Sequence, residues 1–275
     1  IPQTQSRKPD IMTSHIDTDI CIIGGGSAGL SVAAGAVQMG ARVVLIEKGR
    51  MGGDCLNTGC VPSKALLAAA HHAHAITRSP EFGLHTSPPD IDFAAVMAHV
   101  RDVIAGIAPH DSVERFERLG CTVINDQARF TGPKTLVAGN KTVQAKRFVI
   151  ATGSHAAIPP IPGLNDVPFL TNETIFDNNT RPRHLIIVGG GPIGIEMAQA
   201  HKRLGARVTV IEQGRILPKD DPELMAIARQ TLENEGVSLY ENAMAKQVVR
   251  HGTDYRLTMM HKGAELTLEG SHLLI

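Results

Sequence analysis

Two strand–glycine turn–helix–strand–acid patterns lie 165 residues apart, and a closely spaced cysteine pair follows the first. Together they predict an α/β fold of two nucleotide-binding, three-layer Rossmann-like domains. The first pattern starts with Asp19-Ile-Cys-Ile-Ile-Gly24, a short apolar strand running directly into Gly24-Gly-Gly-Ser-Ala-Gly29. Ala and Leu at helical spacing from Leu30 to Met39 then predict a helix, and Arg42–Ile46 a second strand closed by Glu47. In such a G-x-G-x-x-G turn Gly24 permits the tight bend. Gly26 lets the backbone approach a pyrophosphate, and Gly29 lets the helix pack closely on the strand. Free N–H groups at the helix start face the anion, and Glu47 can accept hydrogen bonds from a ribose.

The second pattern repeats this order. Arg183–Val188 predicts a strand, Gly189-Gly-Gly-Pro-Ile-Gly194 the turn and Ile195–Leu204 the helix. Arg207–Ile211 predicts the returning strand, which ends at Glu212. Two such units suggest two dinucleotides, a flavin (FAD) and a nicotinamide. Glu212 favours NAD because a carboxylate there repels the 2′-phosphate of NADP, and Arg215 three residues on tempers that preference without excluding NADP.

Between the units, residues 92–119 carry apolar positions suited to one or two helices. Asn125–Ala151 reads as short strands with turns at Gly132-Pro133 and Gly139-Asn140. Ile158-Pro-Pro-Ile-Pro-Gly163 reads as a stiff connection, which places a boundary near residue 155. The expected organisation is a tail over 1–16, an FAD-binding domain with the dithiol over 17–154, and a NAD(P)-binding domain over 155–275. Within the last, Pro222–Glu235 reads as a helix. Val237–Tyr240, Ala245–His251, Tyr255–Met260 and Glu265–Leu268 read as strands.

Composition excludes several functions. Lys plus Arg and Asp plus Glu both total 27, so no electrostatic reason points to nucleic acid or an anionic membrane. Aromatic residues are 3% of the chain and Trp is absent, which argues against base-stacking platforms. The apolar stretches are strand-sized, and Ile1–Asp17 has no signal-like apolar core, so a cytoplasmic protein is expected. His71, His72 and His74 do not share one helical face and predict no metal site. His155 reads as a loop residue.

Four cysteines are too few for a disulfide scaffold. Cys21 and Cys121 fall in apolar strand patterns and read as buried small hydrophobes. Cys55 and Cys60 differ, lying in Gly52-Gly-Asp-Cys-Leu-Asn-Thr-Gly-Cys-Val-Pro-Ser-Lys64 with Pro62 placed to open a helix. As a staple, the six-residue loop would contribute only about 2 kcal/mol. Redox exchange is the better reason for the pair, since a thiolate is favoured near a helix start.

This segment resembles the signature of class I pyridine nucleotide-disulfide reductases, among them dihydrolipoamide dehydrogenase, glutathione reductase and mercuric reductase. The resemblance runs from about Asp19 to the end of the chain. It includes Phe148-Val-Ile-Ala-Thr-Gly153, Pro160-Ile-Pro-Gly163 and Gly189-Gly-Gly-Pro-Ile-Gly-Ile-Glu196. It implies that Cys55 exchanges with substrate and that Cys60 faces the flavin, with Lys64 near the flavin and paired to Glu196. By the same resemblance FAD contacts come from Gly24, Gly26, Ser27, Gly29, Glu47, Lys48, Gly53, Asp54, Thr152 and Gly153. Gly189, Gly191, Ile193, Gly194 and Glu212 would hold the nicotinamide dinucleotide. Asp54 departs from the family pattern, which has a hydroxyl there, and an ionised carboxylate cannot donate to a pyrophosphate.

The activity implied is electron transfer between NAD(P)H and a substrate disulfide or dithiol, most like dihydrolipoamide dehydrogenase. The alternatives are a mercuric-reductase-like enzyme, an NADH oxidase or peroxidase type of flavoenzyme, and a non-catalytic nucleotide-binding protein. Family members continue with a returning FAD segment and a dimerisation domain carrying a His–Glu pair. Mercuric reductases add a further cysteine pair. The first domain is therefore expected to lack its C-terminal return here, and the longer protein to be a homodimer.

Overall fold

A computed structural model describes residues 14–275. The greater part of the expected tail, residues 1–13, lies outside the described residues. Ser14–Ile16 already belong to the first strand, β1 (Ser14–Ile23). That strand starts five residues before its apolar stretch because Ser14–Thr18 pair in parallel with Lys141–Ala145. These residues are held by backbone hydrogen bonds rather than burial of both faces, so hydrophobic pattern does not reveal them.

The chain packs as two compact units that interleave along the sequence. One comprises the chain up to Leu56 with Ile107–Ser154, and the other Asn57–Gly106 with His155–Ile275. The first contains β1, α1 (Ser27–Gln38), β2 (Val43–Glu47) and, after the excursion, α5 (Val113–Leu119). β3 (Cys121–Asn125), β4 (Ala128–Gly132), β5 (Thr135–Ala138) and β6 (Lys141–Ile150) complete it. The short helix α2 (Gly53–Asn57) runs across the division, and α3 (Cys60–Arg78) and α4 (Phe93–Ile107) lie essentially in the second unit.

In the first unit the sheet order is β3-β2-β1-β6-β5-β4. The first four strands are parallel, and β5 and β4 are antiparallel. β2, Val-Val-Leu-Ile-Glu, is buried along four successive residues, as expected of a central parallel strand covered on both faces. Alternation divides the core accordingly. Ile22, Val43 and Leu45 pack with Leu30 and Ala33 of α1 and Phe116 of α5. Cys21, Val44 and Ile46 face the other way, against Leu136, Ala138, Val143 and Ala145.

The second unit is built on the parallel sheet β13-β7-β8-β9: His272–Leu274, His184–Val188, Arg207–Ile211 and Ser238–Tyr240. One face carries α3, α4 and α6 (Pro192–Arg203) through Leu66, Ala70, Met97, Val100, Met197 and Ala198. The other carries an antiparallel meander of β10 (Ala243–His251), β11 (Asp254–His261) and β12 (Ala264–Gly270) through Val248, Leu257 and Met259. The proline-rich connection is strapped to that meander, with Val248 N–H donating to Pro162 at 2.9 Å. α7 (Pro222–Asn234) starts at Asp221, whose carboxylate accepts from Glu223 and Leu224 N–H, with Pro222 at the first helical position. Sheet between helices and meander gives the three layers expected.

A histidine that sequence pattern passed over lies in this core. His201 of α6 is 1% exposed, donates from Nδ1 to the Met197 carbonyl, and packs on the Phe93 ring. Burial disfavours the imidazolium and pushes its pKa down from 6.5 to about 4. The unfolded chain therefore binds the proton more tightly, so His201 lowers stability as pH falls from 6.5 towards 4 and has no effect above that window. We expect a loss of about 2 kcal/mol between pH 7 and pH 5 from this residue. Urea unfolding of His201→Leu at the two pH values should show a correspondingly smaller difference than the unsubstituted protein.

Candidate active site: two nucleotide turns and a dithiol

The first glycine turn follows β1 at the carboxyl edge of its sheet, where β1 is flanked by β2 and β6. This is the crevice in which open α/β sheets bind ligands. Gly24 has φ 112°, and a Cβ there would lie 2.0 Å from the Ala151 carbonyl oxygen. A Cβ on Gly29 would lie 1.8 Å from the Gly24 oxygen. Gly26 caps the start of α1, and the backbone of Gly53 comes so close that a Cβ on Gly53 would sit 2.6 Å from the Gly26 Cα. The backbone is thus kept bare on both sides of the turn.

Glu47 does more than end β2. Its carboxylate accepts from Gly25 N–H at 2.5 Å and from Gly49 N–H at 2.6 Å, clamping the turn to the loop after the strand. A cavity of about 140 Å³ opens beside it, lined by Gly24, Glu47, Lys48, Asp126, Gln127 and Thr152 among others. Asp54 is exposed in the first turn of α2, and its carboxylate is the nearest group to a Cβ built on Gly153. Ser27 begins α1 and hydrogen-bonds through its carbonyl to the Ser31 hydroxyl.

The second turn, in its own unit, repeats this construction. Gly189 has φ 127°, and a Cβ on Gly194 would lie 2.1 Å from the Gly189 oxygen. Glu212 accepts from Gly190 and Gly214 N–H, each at 2.7 Å. Gly191 faces open space and Ile193 is exposed. A cavity of about 280 Å³ lies beside this turn and includes Gly189, Ile211, Glu212, Gln213 and Met244 in its wall. The loop beyond Glu212 is pinned as well. Leu217 N–H donates to Gly190, and Ile216 N–H to Glu241, itself gripped by the Arg229 guanidinium. Both turns therefore offer bare backbone, a helix start and a pre-oriented carboxylate, the set a dinucleotide requires. The clamping donors Gly49 and Gly214 were missed by sequence reasoning. Their signal was present, since each stands two residues after its acid.

Cys21 and Cys121 are buried in strands, and burial pushes the Cys21 thiol up to about 12, which makes it inert at neutral pH. Cys55 is half-buried in α2. Cys60 is exposed and is the first residue of α3, two positions before the Pro62 expected to open that helix. Pro62 is tolerated because the first intrahelical bond is the one from Ser63 N–H to Gly59, so no N–H is needed at residue 62. The thiol is thus carried on the first residue of a nineteen-residue helix.

Glu196 differs from its expected pairing. Its carboxylate accepts a hydrogen bond from the hydroxyl of Ser63, which is buried where α3 packs on α6. Lys64 is exposed, and no ion pair of Lys64 occurs among the described residues. The reason is helical geometry: the residue buried against α6 at this level of α3 is Ser63, and its successor turns to solvent. His155 is exposed in a loop with Nδ1 2.8 Å from Glu173. No group of three His, Cys, Asp or Glu side chains is arranged to hold a metal among the described residues. No helix among them is long and apolar enough to cross a membrane.

Comparison with known proteins agrees with this architecture. The family model for pyridine nucleotide-disulphide oxidoreductases matches residues 18–275. Mercuric reductase from Streptomyces lividans is 35% identical over 273 residues, covering 96% of this chain and 57% of that protein. Mercuric reductase from Bacillus cereus is 34% identical over 262 residues, covering 95% and 42%. Among solved structures, the HOCl-induced flavoprotein disulfide reductase RclA from Escherichia coli matches with a TM-score of 0.77. It is 27% identical, and the match covers 94% of this chain and 55% of that one. The chain spans about half the length of these relatives. Membership implies binding of FAD and a nicotinamide dinucleotide, and both turns fit such ligands. The chain belongs to the pyridine nucleotide-disulphide oxidoreductase family.

Proposed function

We propose that this chain is the nucleotide-binding and dithiol portion of an FAD-dependent enzyme that passes electrons from NAD(P)H to a thiol-reactive acceptor through Cys55 and Cys60. The observation that carries the reading is the pair of identically clamped turns, Gly25–Glu47–Gly49 and Gly190–Glu212–Gly214, in a chain whose other conspicuous feature is a thiol at a helix start. The first turn is assigned to FAD and the second to the nicotinamide nucleotide. NAD is favoured over NADP, because Glu212 presents negative charge where a 2′-phosphate would sit.

FAD, when bound, supplies the two-electron relay from the nicotinamide to the oxidised dithiol. The chain's own part is thiol chemistry. The Cys55 thiolate attacks one sulfur of an acceptor disulfide, forming a mixed disulfide and releasing the other sulfur as thiolate. Cys60, as thiolate, then attacks the Cys55 sulfur, expelling the second acceptor thiolate and leaving a Cys55–Cys60 disulfide. Similarity to mercuric reductases favours a mercuric-reductase-like enzyme over a dihydrolipoamide dehydrogenase, with mercuric ion as a candidate substrate beside disulfides. In the longer protein we propose a homodimer.

The test is an anaerobic NADH titration of the full-length protein followed by absorbance. Bound FAD should bleach, and a long-wavelength thiolate–flavin band should form that is missing in Cys60→Ala. Reduction of FAD without the band would favour an oxidase-type flavoenzyme. Failure to retain FAD would sink the enzyme reading. Oxidant-dependent reoxidation with mercuric ion, an aromatic disulfide or lipoamide then ranks the acceptors.

A further inference from the structure

The two glycine turns are built alike, but the loops behind them are stiffened differently. In the first unit the residue five places after the clamping acid is Gly52, with φ 86° and its N–H donating to the Gly25 carbonyl at 2.9 Å. In the second unit that place, five after Glu212, is taken by Leu217, with φ 46° and its N–H donating to the Gly190 carbonyl at 2.8 Å. The left-handed conformation is open to glycine and disfavoured for leucine, whose Cβ crowds the following carbonyl. It persists where neighbouring contacts over-determine it. Around Leu217 those contacts come from the segment after β9. Ile216 N–H donates to the Glu241 carboxylate at 2.7 Å, Asn242 N–H to the Gly214 carbonyl at 2.9 Å, and Ala243 N–H to the Glu212 carbonyl at 3.0 Å. The Arg229 guanidinium of α7 meets the Glu241 carboxylate with two nitrogens on two oxygens, a fork that fixes direction as well as charge. The Glu241 side chain is only 13% exposed, so its charge depends on that partner.

We propose that Arg229 is a positioning residue for the dinucleotide of the second turn: through Glu241 it holds the 213–217 loop, and with it Gly190 and Glu212, in the shape that the nucleotide meets. The inference rests on the assignment of that turn to a nicotinamide nucleotide. Arg229 lines a separate hollow of about 230 Å³ together with Arg215, Ile216 and Leu217, whereas Gly189 and Glu212 stand in the wall of the 280 Å³ cavity. Its effect therefore passes along the loop. Without the guanidinium, Glu241 turns to water and Ile216 loses its acceptor. Leu217 then relaxes from its left-handed conformation and releases the Gly190 carbonyl. Gly190 N–H is one of the two donors that aim the Glu212 carboxylate. A ribose hydroxyl would meet an acceptor whose ordering is charged against binding.

The test uses the full-length, FAD-loaded protein. Without nucleotide, hydrogen–deuterium exchange of the Ile216 and Leu217 amides should be faster in Arg229→Ala than in the parent. Anaerobic stopped-flow reduction of the bound FAD at rising NADH concentration gives the apparent Kd and the limiting rate separately. Arg229→Ala should raise the apparent Kd about tenfold, the effect of one lost hydrogen bond to a charged group, and leave the limiting rate within about twofold. Arg229→Lys, which keeps the charge without the fork, should raise it less. Glu241→Ala should match Arg229→Ala, and combining the two should add nothing, because one acts through the other. Arg203→Ala is the control for general loss of stability. Arg203 grips Glu235 in the same forked manner, with side-chain exposures of 14% and 9%, and its bonds run to the residue after α7 rather than to the loop. It should lower the thermal midpoint and leave the Kd unchanged. An unchanged Kd or unchanged exchange in Arg229→Ala overturns the proposal. So does an equal rise in Arg203→Ala, which would mark a general loosening, or an additive loss in the double variant. If neither NADH nor NADPH reduces the parent's FAD, the assignment of the second turn fails and this role falls with it; a parent that is reduced normally, with Kd insensitive to Arg229→Ala, overturns the positioning role alone.

Discussion

Replacing Cys60 with serine is expected to lower NADH-driven reduction of an acceptor by the full-length protein by about 10³-fold or more, because a serine hydroxyl neither ionises at neutral pH nor forms a disulfide. The thermal midpoint should barely move, since Cys60 is exposed and surface substitutions of similar size change stability little. Cys55→Ser should lose turnover as severely yet retain the long-wavelength thiolate–flavin band, because Cys60 would still be present. Cys21→Ser makes the necessary contrast. That side chain is 0% exposed in the core of the first sheet, so the substitution buries a hydroxyl and costs about 1–3 kcal/mol of stability. Its turnover per folded molecule should be unchanged. Steady-state rates with thermal melts of the three variants separate the roles. Equal losses of turnover in Cys21→Ser and Cys60→Ser would defeat the assignment of the dithiol.

A second large effect is predicted at the first glycine turn. Gly29→Ala places a Cβ 1.8 Å from the Gly24 carbonyl oxygen, a backbone atom that cannot yield without opening the turn. We expect a loss of about 3 kcal/mol or more, with FAD retention lost as well. Gly35 lies further along the same helix and a Cβ there meets nothing within 4 Å. Gly35→Ala should therefore stabilise by about 0.5–1 kcal/mol through helix propensity and reduced freedom of the unfolded chain. Denaturant unfolding of the two variants, alongside flavin content, tests the pair. Similar midpoints would mean that α1 can move away from β1, contrary to the close approach described.

The two turns were legible in sequence because their physics is local. Glycine at Gly24, Gly29, Gly189 and Gly194 answers to backbone geometry within a few residues, and the apolar strands on either side have a plain pattern. The helix after the cysteine pair was legible too, though it was expected from Pro62 and begins at Cys60 itself. What escaped depends on partners distant in the chain. Ser14–Thr18 form strand only because Lys141–Ala145 lie alongside. Ser63 gains its hydrogen-bond partner only because α6 brings Glu196 to it across a separation of 133 residues. His201 has no distinguishing neighbour in sequence, and its burial arises from α4 packing on α6. Lys64 was expected to pair with Glu196 from family likeness, and the orientation of α3 gave that carboxylate to the preceding residue.

The interleaving of the two units governs how the chain can be cut. A fragment spanning 155–275 would keep α6 on the β7–β8 sheet but omit α3 and α4, removing Leu66, Ala70, Met97 and Val100 from the apolar cluster they share with Met197 and Ala198 of α6. Conversely, a fragment ending at residue 154 would retain α3 and α4 as helices with their apolar stripes facing water. The chain passes from one unit to the other between Leu56 and Asn57, within the segment from Cys55 to Cys60. A protease nick there would therefore part Cys55 from Cys60 while leaving the strands of both sheets uncut.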